Sequence, residues 1–317
     1  PGTLPSPEVR ILEEATLAIE DKAIRKQIQL AFKNGADSIC MNILIYTPNK
    51  KLKAPVFLGY NFAGNYLLHK DPFILIDGKK ESELTGDSYK KFNVKKRGER
   101  SSRWAIEKII ESGYGLVTLN YNDVDRDKND FSDGIHSLLY KSDQIKPEDD
   151  QWGSISAWAW GMSRVMDYLE KEALIDENKV ILFGHSRLGK TSLWAGALDQ
   201  RFSMVISNNS GCGGAALSRR RFGEKVSDIT KNWSHWFAKN FQKYSENESS
   251  LPIDQHMLIS LIAPRPVYVA SASKDSWADP RGEFISAKQA SKVYKLYGMQ
   301  GIELYDYPKV NTPIHQR

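Results

Sequence analysis

The chain of 317 residues carries 44 lysine and arginine side chains against 39 aspartate and glutamate side chains, for a formal net charge of +5. About 41% of its residues are apolar and 26% are charged, which excludes disordered, collagen-like and coiled-coil chains. Because no run of roughly 18 apolar residues occurs, no membrane span is expected. The net positive charge is too small to predict nucleic-acid binding. It is consistent with an anionic or polysaccharide substrate, and lysines on the surface with no such role are the alternative explanation.

The two cysteines and the length of the chain bound its organisation. Cys40 and Cys212 cannot form a disulfide framework and show no zinc-type spacing, and no metal or organic cofactor is predicted. The length fits two domains, but the pattern described below favours a single catalytic domain over residues 1–317. Pro1 is not an initiator methionine, so we expect that an N-terminal segment, such as a signal peptide, has been removed.

From about residue 43, short apolar runs alternate with segments of helical periodicity. Near-continuous apolar runs predict strands buried on both faces, and apolar residues at helical spacing predict the helices between them. The predicted strands are residues 43–46, 55–60, 115–120, 180–183, 204–207 and 267–270, and the predicted helices are residues 102–112, 155–171 and 188–198. This alternation predicts an α/β fold with a mostly parallel central sheet covered by helices on both faces.

Two segments interrupt the alternation. Residues 61–100 are polar and rich in lysine, and residues 209–251 are rich in glycine, arginine, tryptophan and asparagine. We expect both segments to be irregular insertions. Such insertions usually lie over the functional site, although a solvated surface loop is the alternative.

The stretch that carries chemistry is residues 180–190. An apolar strand leads into residues 184–189, which read Gly-His-Ser-Arg-Leu-Gly, and a helix begins at once. This context predicts a nucleophile elbow, in which Gly184 leaves space for the bend and Ser186 projects above the sheet edge. The backbone N–H after the serine would then face a developing oxyanion. The second glycine comes one place later than in the common G-x-S-x-G pattern, and an ordinary strand-to-helix turn is the alternative.

A serine nucleophile needs a base, and the base needs an orienting acid. In an α/β-hydrolase these follow in the chain order serine, acid, histidine. Asp275 comes just after the strand at residues 267–270, where a triad acid belongs, and we favour it over Asp279, whose place before a proline is typical of a turn. Beyond Asp275 the sequence contains one histidine, His315, which could be the base if residues 302–305 formed the last strand.

Several blocks around the serine point to one family. The motif Gly-His-Ser-Arg-Leu-Gly-Lys is followed by Trp-Ala-Gly-Ala-Leu-Asp, and further blocks lie at residues 158–167, 210–216, 251–257, 263–266 and 275–280. Together these blocks resemble the glucuronoyl esterases, carbohydrate esterase family 15, and the bacterial branch in particular. The resemblance implies an α/β-hydrolase fold and a serine esterase that cleaves, through an acyl-enzyme, the ester between (4-O-methyl-)glucuronic acid of glucuronoxylan and lignin alcohols. It also implies a secreted or periplasmic protein, which we expect to be a monomer.

The resemblance also assigns roles to individual residues. It implies that Ser186 is the nucleophile and that Arg187 stabilises the oxyanion through its backbone N–H and its guanidinium. The residues that it implies for sugar binding are Lys190, which would donate to hydroxyls, Trp277, which would stack on the ring, and Glu224, which would contact the uronate ring. The alternative interpretations are that Arg187 is a surface arginine, Lys190 a solvated helix lysine and Trp277 a core tryptophan.

The sequence departs from the family pattern at three places. His185 stands where fungal members carry a cysteine, so any disulfide there is missing. Asn209 stands where fungal members carry the triad glutamate, which moves the acid role to Asp275, as in bacterial relatives. Residues 311–315 resemble the segment before the family's catalytic histidine, and the block with that histidine does not follow. The resemblance therefore implies that this chain ends before the last strand and its base.

Two other functions fit the sequence. An acetyl or feruloyl esterase that acts on xylan would need no uronate-binding lysine or tryptophan. A protein that binds glucuronoxylan without catalysis would account for a missing histidine.

Overall fold

The computed structural model describes residue 4 and residues 6–35, 37–50, 52–141, 143–304 and 307–314, so His315 lies outside the described residues. The chain divides into two compact units. The first unit comprises residues 1–126, 130–146 and 165–180, and the second comprises residues 127–129, 147–164 and 181–317. The organisation into a single catalytic domain stays a prediction.

The first unit combines an antiparallel ribbon with a parallel pair of strands. Its strands are β1 (Glu8–Ala18), β2 (Ala23–Asn34), β3 (Asp37–Pro48), β4 (Ala54–Asn61) and β5 (Gly115–Asn120). Its helices are α1 (Gly86–Lys91), α2 (Ser101–Trp104), α3 (Ile106–Glu111) and α4 (Ile135–Leu139). β1, β2, β3 and β5 pair in that order and antiparallel, whereas β4 and β5 are parallel. The side chains of the strands form the core, which includes Ile28, Leu30, Ile43, Leu44, Val56, Leu58, Val117 and Leu119.

The second unit carries the parallel strands that follow. α5 (Ser154–Leu169) and β6 (Ile175–His185) each contribute residues to both units. The elements that lie wholly in the second unit are α6 (Arg187–Leu198), β7 (Met204–Asn208), α7 (Val226–Asn232), α8 (Gln255–Ser260), β8 (Val267–Ala270) and α9 (Pro280–Leu296). β6, β7 and β8 are parallel. In hydrogen-bonding order the strands of the first unit run β1-β2-β3-β5-β4, and β6-β7-β8 follow one another in the same way.

The predicted α/β fold is confirmed, and each predicted strand lies within one of the strands β3 to β8. The predicted helix at residues 102–112 is two helices, α2 and α3, because the backbone at Ala105 adopts a positive φ of 26°. Residues 302–304 form no strand, and Tyr305 lies outside the described residues. Within the described ranges, no helix is long and apolar enough to cross a membrane.

The sequence pattern does not predict β1 and β2, because both strands are half polar. Most of β1 is exposed at the edge of the sheet. In β2 the side chains of Arg25 and Gln27 are buried, where Arg25 pairs with Glu13 and Asp71, and Gln27 donates to the carbonyl of Phe73 at 2.9 Å. Buried polar groups are stable when they are hydrogen-bonded in this way, but they leave no continuous apolar run in the sequence.

Candidate active site

Ser186 lies at a sharp turn between β6 and α6, as the sequence predicts. Its backbone angles, φ 57° and ψ −127°, lie in a region that residues with a side chain rarely adopt. The turn is held by hydrogen bonds to the Ser186 carbonyl from the N–H groups of Gly189 (2.9 Å) and Lys190 (3.1 Å). The Ser186 N–H donates to the carbonyl of Asn208 in β7 at 2.9 Å. A strained backbone that its surroundings hold in this way is characteristic of a nucleophile elbow.

Gly184 permits the close approach of strand and helix at this turn. A Cβ placed on Gly184 would lie 2.1 Å from the carbonyl oxygen of Leu188 and 2.7 Å from Ser192 Oγ. Backbone atoms of a helix cannot move away from such a contact, so only glycine fits this position. A Cβ on Gly189 would have more space, since its nearest neighbour would be Ser210 Cβ at 3.0 Å.

A pocket of about 190 Å³ opens beside the serine. Six residues that the sequence analysis assigns to the site line this pocket: Ser186, Arg187, Lys190, Glu224, Asp275 and Trp277. They come from the start of α6, from the segment before α7 and from the loop after β8. The fold therefore brings together residues that are up to 91 positions apart in the sequence, from 186 to 277.

Asp275 lies beyond the end of β8 and is held from two sides. Its Oδ2 accepts a hydrogen bond of 2.7 Å from the side-chain amide of Asn209, and its Oδ1 accepts one of 3.3 Å from the N–H of Ala278. Asn209 in turn accepts from the N–H of Ala272 at 3.0 Å. The carboxylate therefore has a fixed place on the pocket wall, where an acid could orient a histidine.

Asp279 has a different environment. Its side chain is only 2% exposed, and it caps α9 by accepting from the N–H of Gly282 at 3.0 Å. Its other oxygen accepts from Arg220 Nε at 2.8 Å. Both oxygens are thus engaged in holding the start of α9 and an arginine, which agrees with the structural role expected of a residue before a proline.

Two described histidines of the second unit, His185 and His235, have partners other than Asp275. His185 Nδ1 lies 2.6 Å from the side-chain oxygen of Asn208, to which it donates. His235 Nε2 contacts Asp127 at 2.9 Å. The structure therefore leaves the sequence-based choice of His315 as the base untested.

Lys190 and Glu224 form a buried ion pair on the pocket wall. Lys190 Nζ lies 3.6 Å from Glu224 Oε2, and the side chains are only 4% and 8% exposed. The lysine also donates to the carbonyl of Ser210. Burial lowers the pKa of Lys190 and raises the pKa of Glu224, and in each case the charge of the partner opposes the shift. A donor and an acceptor side by side can bind neighbouring hydroxyl groups of a sugar.

Trp277 lies at the rim of the pocket, and its side chain is 54% exposed, so it is not a core tryptophan. It belongs to a short 3-10 turn, Ser276–Ala278, and its carbonyl accepts from the N–H of Glu224 at 2.9 Å. An exposed indole at the mouth of a polar pocket offers an apolar face on which a sugar ring can stack.

Arg187 is held by a residue that the sequence analysis does not single out, Asp127. The arginine donates through Nη1 to Asp127 Oδ2, and its guanidinium lies over the rings of Trp233 and Trp236. Asp127 follows the carboxyl end of β5, an edge at which polar loop residues of α/β proteins often serve a site. That position is the signal in the sequence that could have found it.

Glu283 in α9 connects the loops behind the pocket. It is fully buried and accepts from the N–H of Gly211 at 2.9 Å and from the hydroxyl groups of Ser210 and Ser271. Burial raises the pKa of this carboxyl group, and the hydrogen bonds oppose that shift. One side chain thus joins α9 to the loop after β7 and to the loop after β8.

The serine elbow after β6 and the carboxylate after β8 are the arrangement of an α/β-hydrolase, the class in which a serine attacks an acyl group. A family model described as glucuronyl esterase of fungi matches residues 101–298. The chain belongs to the glucuronoyl esterases, carbohydrate esterase family 15. The family resemblance seen in the sequence is therefore confirmed.

Three relatives illustrate how far the likeness extends. The chain is 48% identical over 316 residues to the carbohydrate esterase MZ0003 from an unknown prokaryotic organism, across 98% of this chain and 73% of that protein. The solved structure of the glucuronoyl esterase from Solibacter usitatus is similar with a TM-score of 0.89 and 41% identity, over 99% of this chain and 80% of that one. The 4-O-methyl-glucuronoyl methylesterase of Podospora anserina is 31% identical over 215 residues, which are 63% of this chain and 43% of that protein.

Proposed function

We propose that this chain carries the catalytic machinery of a serine esterase that hydrolyses the ester between (4-O-methyl-)glucuronic acid and an alcohol. One observation carries this proposal: the Ser186 elbow opens into the pocket that also holds the Lys190–Glu224 pair and the exposed Trp277. A nucleophile alone would serve any small ester, whereas a paired donor and acceptor beside an indole face suit a sugar ring. The names of the Solibacter and Podospora relatives support the same substrate class.

The reaction follows the two steps of acyl transfer. Ser186 Oγ attacks the carbonyl carbon of the ester, and the general base takes the hydroxyl proton. The base is a histidine, for which His315 is the candidate in this sequence, and Asp275 orients it. The same base returns the proton to the leaving alcohol, and water then hydrolyses the acyl-enzyme and releases glucuronate.

Negative charge develops on the carbonyl oxygen in each step. The backbone N–H of Arg187 faces this oxygen from the start of α6, and the guanidinium of the same residue adds a permanent positive charge. Such preorganised donors are worth about 10²–10³ in kcat each. Arg187 is therefore the electrostatic partner of Ser186 in the proposed reaction.

The substrate would enter as part of a plant polysaccharide. Lys190 and Glu224 would bind hydroxyl groups of the uronate ring, and Trp277 would stack on its face. We infer glucuronoxylan as the carrier of the ester, a lignin alcohol as the leaving group and, because these polymers lie outside cells, a secreted or periplasmic place of action.

The test is hydrolysis of benzyl glucuronate, with an aryl acetate as the comparison substrate. The proposal expects turnover of the glucuronate, and Ser186→Ala should lower kcat by about 10⁴-fold or more. Lys190→Ala should raise KM for the glucuronate and leave acetate hydrolysis unchanged. Cleavage of the acetate alone would point to an acetyl or feruloyl esterase. Binding of uronic-acid oligosaccharides without any turnover would point to a binding protein.

A further inference from the structure

Three donors converge on the carboxylate of Asp127. Arg187 Nη1 donates to Oδ2, while Oδ1 accepts from Trp236 Nε1 at 2.7 Å and from His235 Nε2 at 2.9 Å. The Asp127 side chain is only 7% exposed. A buried carboxylate with donors on both oxygens has a fixed orientation, so it presents one fixed acceptor to the arginine.

The guanidinium of Arg187 is also fixed from its face. Its central carbon lies 4.8 Å from the ring centre of Trp236 and 5.0 Å from that of Trp233. The two indole rings are stacked, with their centres 4.8 Å apart and their planes 8° apart. Because Trp236 donates to Asp127 and contacts Arg187, the aspartate and the indole hold the arginine as one unit.

We propose that Asp127 is a positioning residue that sets the orientation of the Arg187 guanidinium toward the oxyanion. This inference rests on the proposed function, because it assumes that Arg187 faces the reacting carbonyl. Charge alone argues against an aspartate at this place, since a second negative charge weakens the attraction between the arginine and an oxyanion. Orientation accounts for it, because a free arginine side chain loses rotamer entropy when it is ordered, and the contact with Asp127 orders it before substrate binds.

The kinetic test compares Asp127→Asn and Asp127→Ala with the wild-type chain on benzyl glucuronate. A misplacement of about 1 Å in a catalytic group costs about 10²-fold in rate, so we expect kcat to fall by about 10-fold in the asparagine variant and about 100-fold in the alanine variant. KM should change little, because the sugar is bound by other residues. Asp199→Asn is the matched control: Asp199 pairs with Arg201 at 2.7 Å at the far end of α6, and its loss should leave kcat unchanged.

A second measurement separates positioning from charge. The product-like anion methyl glucuronoside places its carboxylate where the oxyanion forms, and methyl glucoside is its uncharged counterpart. If Asp127 positions Arg187, calorimetry will show weaker binding of the glucuronoside to Asp127→Ala and unchanged binding of the glucoside. If Asp127 acted only as a nearby negative charge, its removal would tighten binding of the anion, and the inference would be overturned.

The two levels of the argument fail in different ways. A wild-type chain that neither hydrolyses the ester nor binds the glucuronoside would overturn the proposed function and this inference with it. An active wild-type chain whose Asp127 variants keep full kcat and anion affinity would overturn the inference alone.

Discussion

The side-chain amide of Asn209 donates a hydrogen bond of 2.7 Å to the carboxylate of Asp275. The two residues follow neighbouring parallel strands, Asn209 after β7 and Asp275 after β8. The family resemblance places the fungal triad glutamate at position 209. In this chain an amide occupies that position and supports the carboxylate of the next strand, so the two places act together and carry one charge.

We expect Asp275→Asn to lower kcat by about 10³–10⁴-fold while the protein remains folded, because a neutral amide cannot stabilise the histidinium. Asp279→Asn should instead affect stability and leave catalysis intact. It weakens a helix cap and a buried contact with Arg220, so the free energy of unfolding should fall by about 1–3 kcal/mol with kcat nearly unchanged. Steady-state kinetics and urea unfolding of both variants check this. A loss of kcat in the Asp279 variant alone would reverse the assignment.

Because of the buried ion pair of Lys190 and Glu224, substrate binding should weaken as the pH becomes alkaline. Burial lowers the pKa of Lys190 below its ordinary value of 10.5, so the ammonium loses its proton at a lower pH than an exposed lysine would. As the pH is raised, KM for the glucuronate ester should therefore begin to increase before pH 10.5 is reached. In Glu224→Gln the favourable charge of Glu224 is gone, the pKa of Lys190 falls further, and the rise should begin at a lower pH. Identical profiles for the two proteins would contradict this account.

Gly184→Ala should destabilise the protein by about 3 kcal/mol or more, because the added methyl group meets the backbone of Leu188 at 2.1 Å. Gly189→Ala is the matched control. The methyl group added there would lie 3.0 Å from its nearest neighbour, a side-chain atom, so a smaller loss of stability is expected. Urea unfolding measures both. Equal losses would mean that the helix can shift away from Gly184.

Much of the site follows from the sequence, because local pattern and motif lie together there. A buried apolar run that ends in Gly184 and is followed by a helix is enough to predict the elbow at Ser186. Asp275 was predictable from its place after an apolar strand. The resemblance to the family supplied Lys190, Trp277 and Glu224, which no local pattern distinguishes from surface or core residues.

The remaining part of the site depends on contacts between distant segments. Asp127 and Trp236 are 109 positions apart, and Arg187 is 60 positions from Asp127. None of these three residues lies in an amphipathic or apolar pattern that would predict its contact with the other two. The same holds for Arg25 in β2, whose burial depends on carboxylates from other segments. A hydrophobic pattern in the sequence gives no information about contacts between buried polar side chains.

Cys212 should not react with thiol reagents in the folded protein. It is buried, and burial raises its pKa to about 12, so the thiolate is scarce at neutral pH. We expect Ellman's reagent to modify it only as fast as its loop opens, and quickly in denaturant. The variant Cys40→Ser leaves a single thiol and makes the measurement unambiguous. Fast modification of that variant under native conditions would contradict the burial seen here.

Glu283 joins α9 to the loops after β7 and β8 through three hydrogen bonds. Separation of α9 from these loops would leave a buried carboxylate without its donors, which is costly. The helix and both loops should therefore open as one cooperative unit, and the amide protons of Gly211 and of the α9 interior should exchange with solvent at related rates. The shape of the pocket would then be maintained by the stability of a helix that forms no part of its wall.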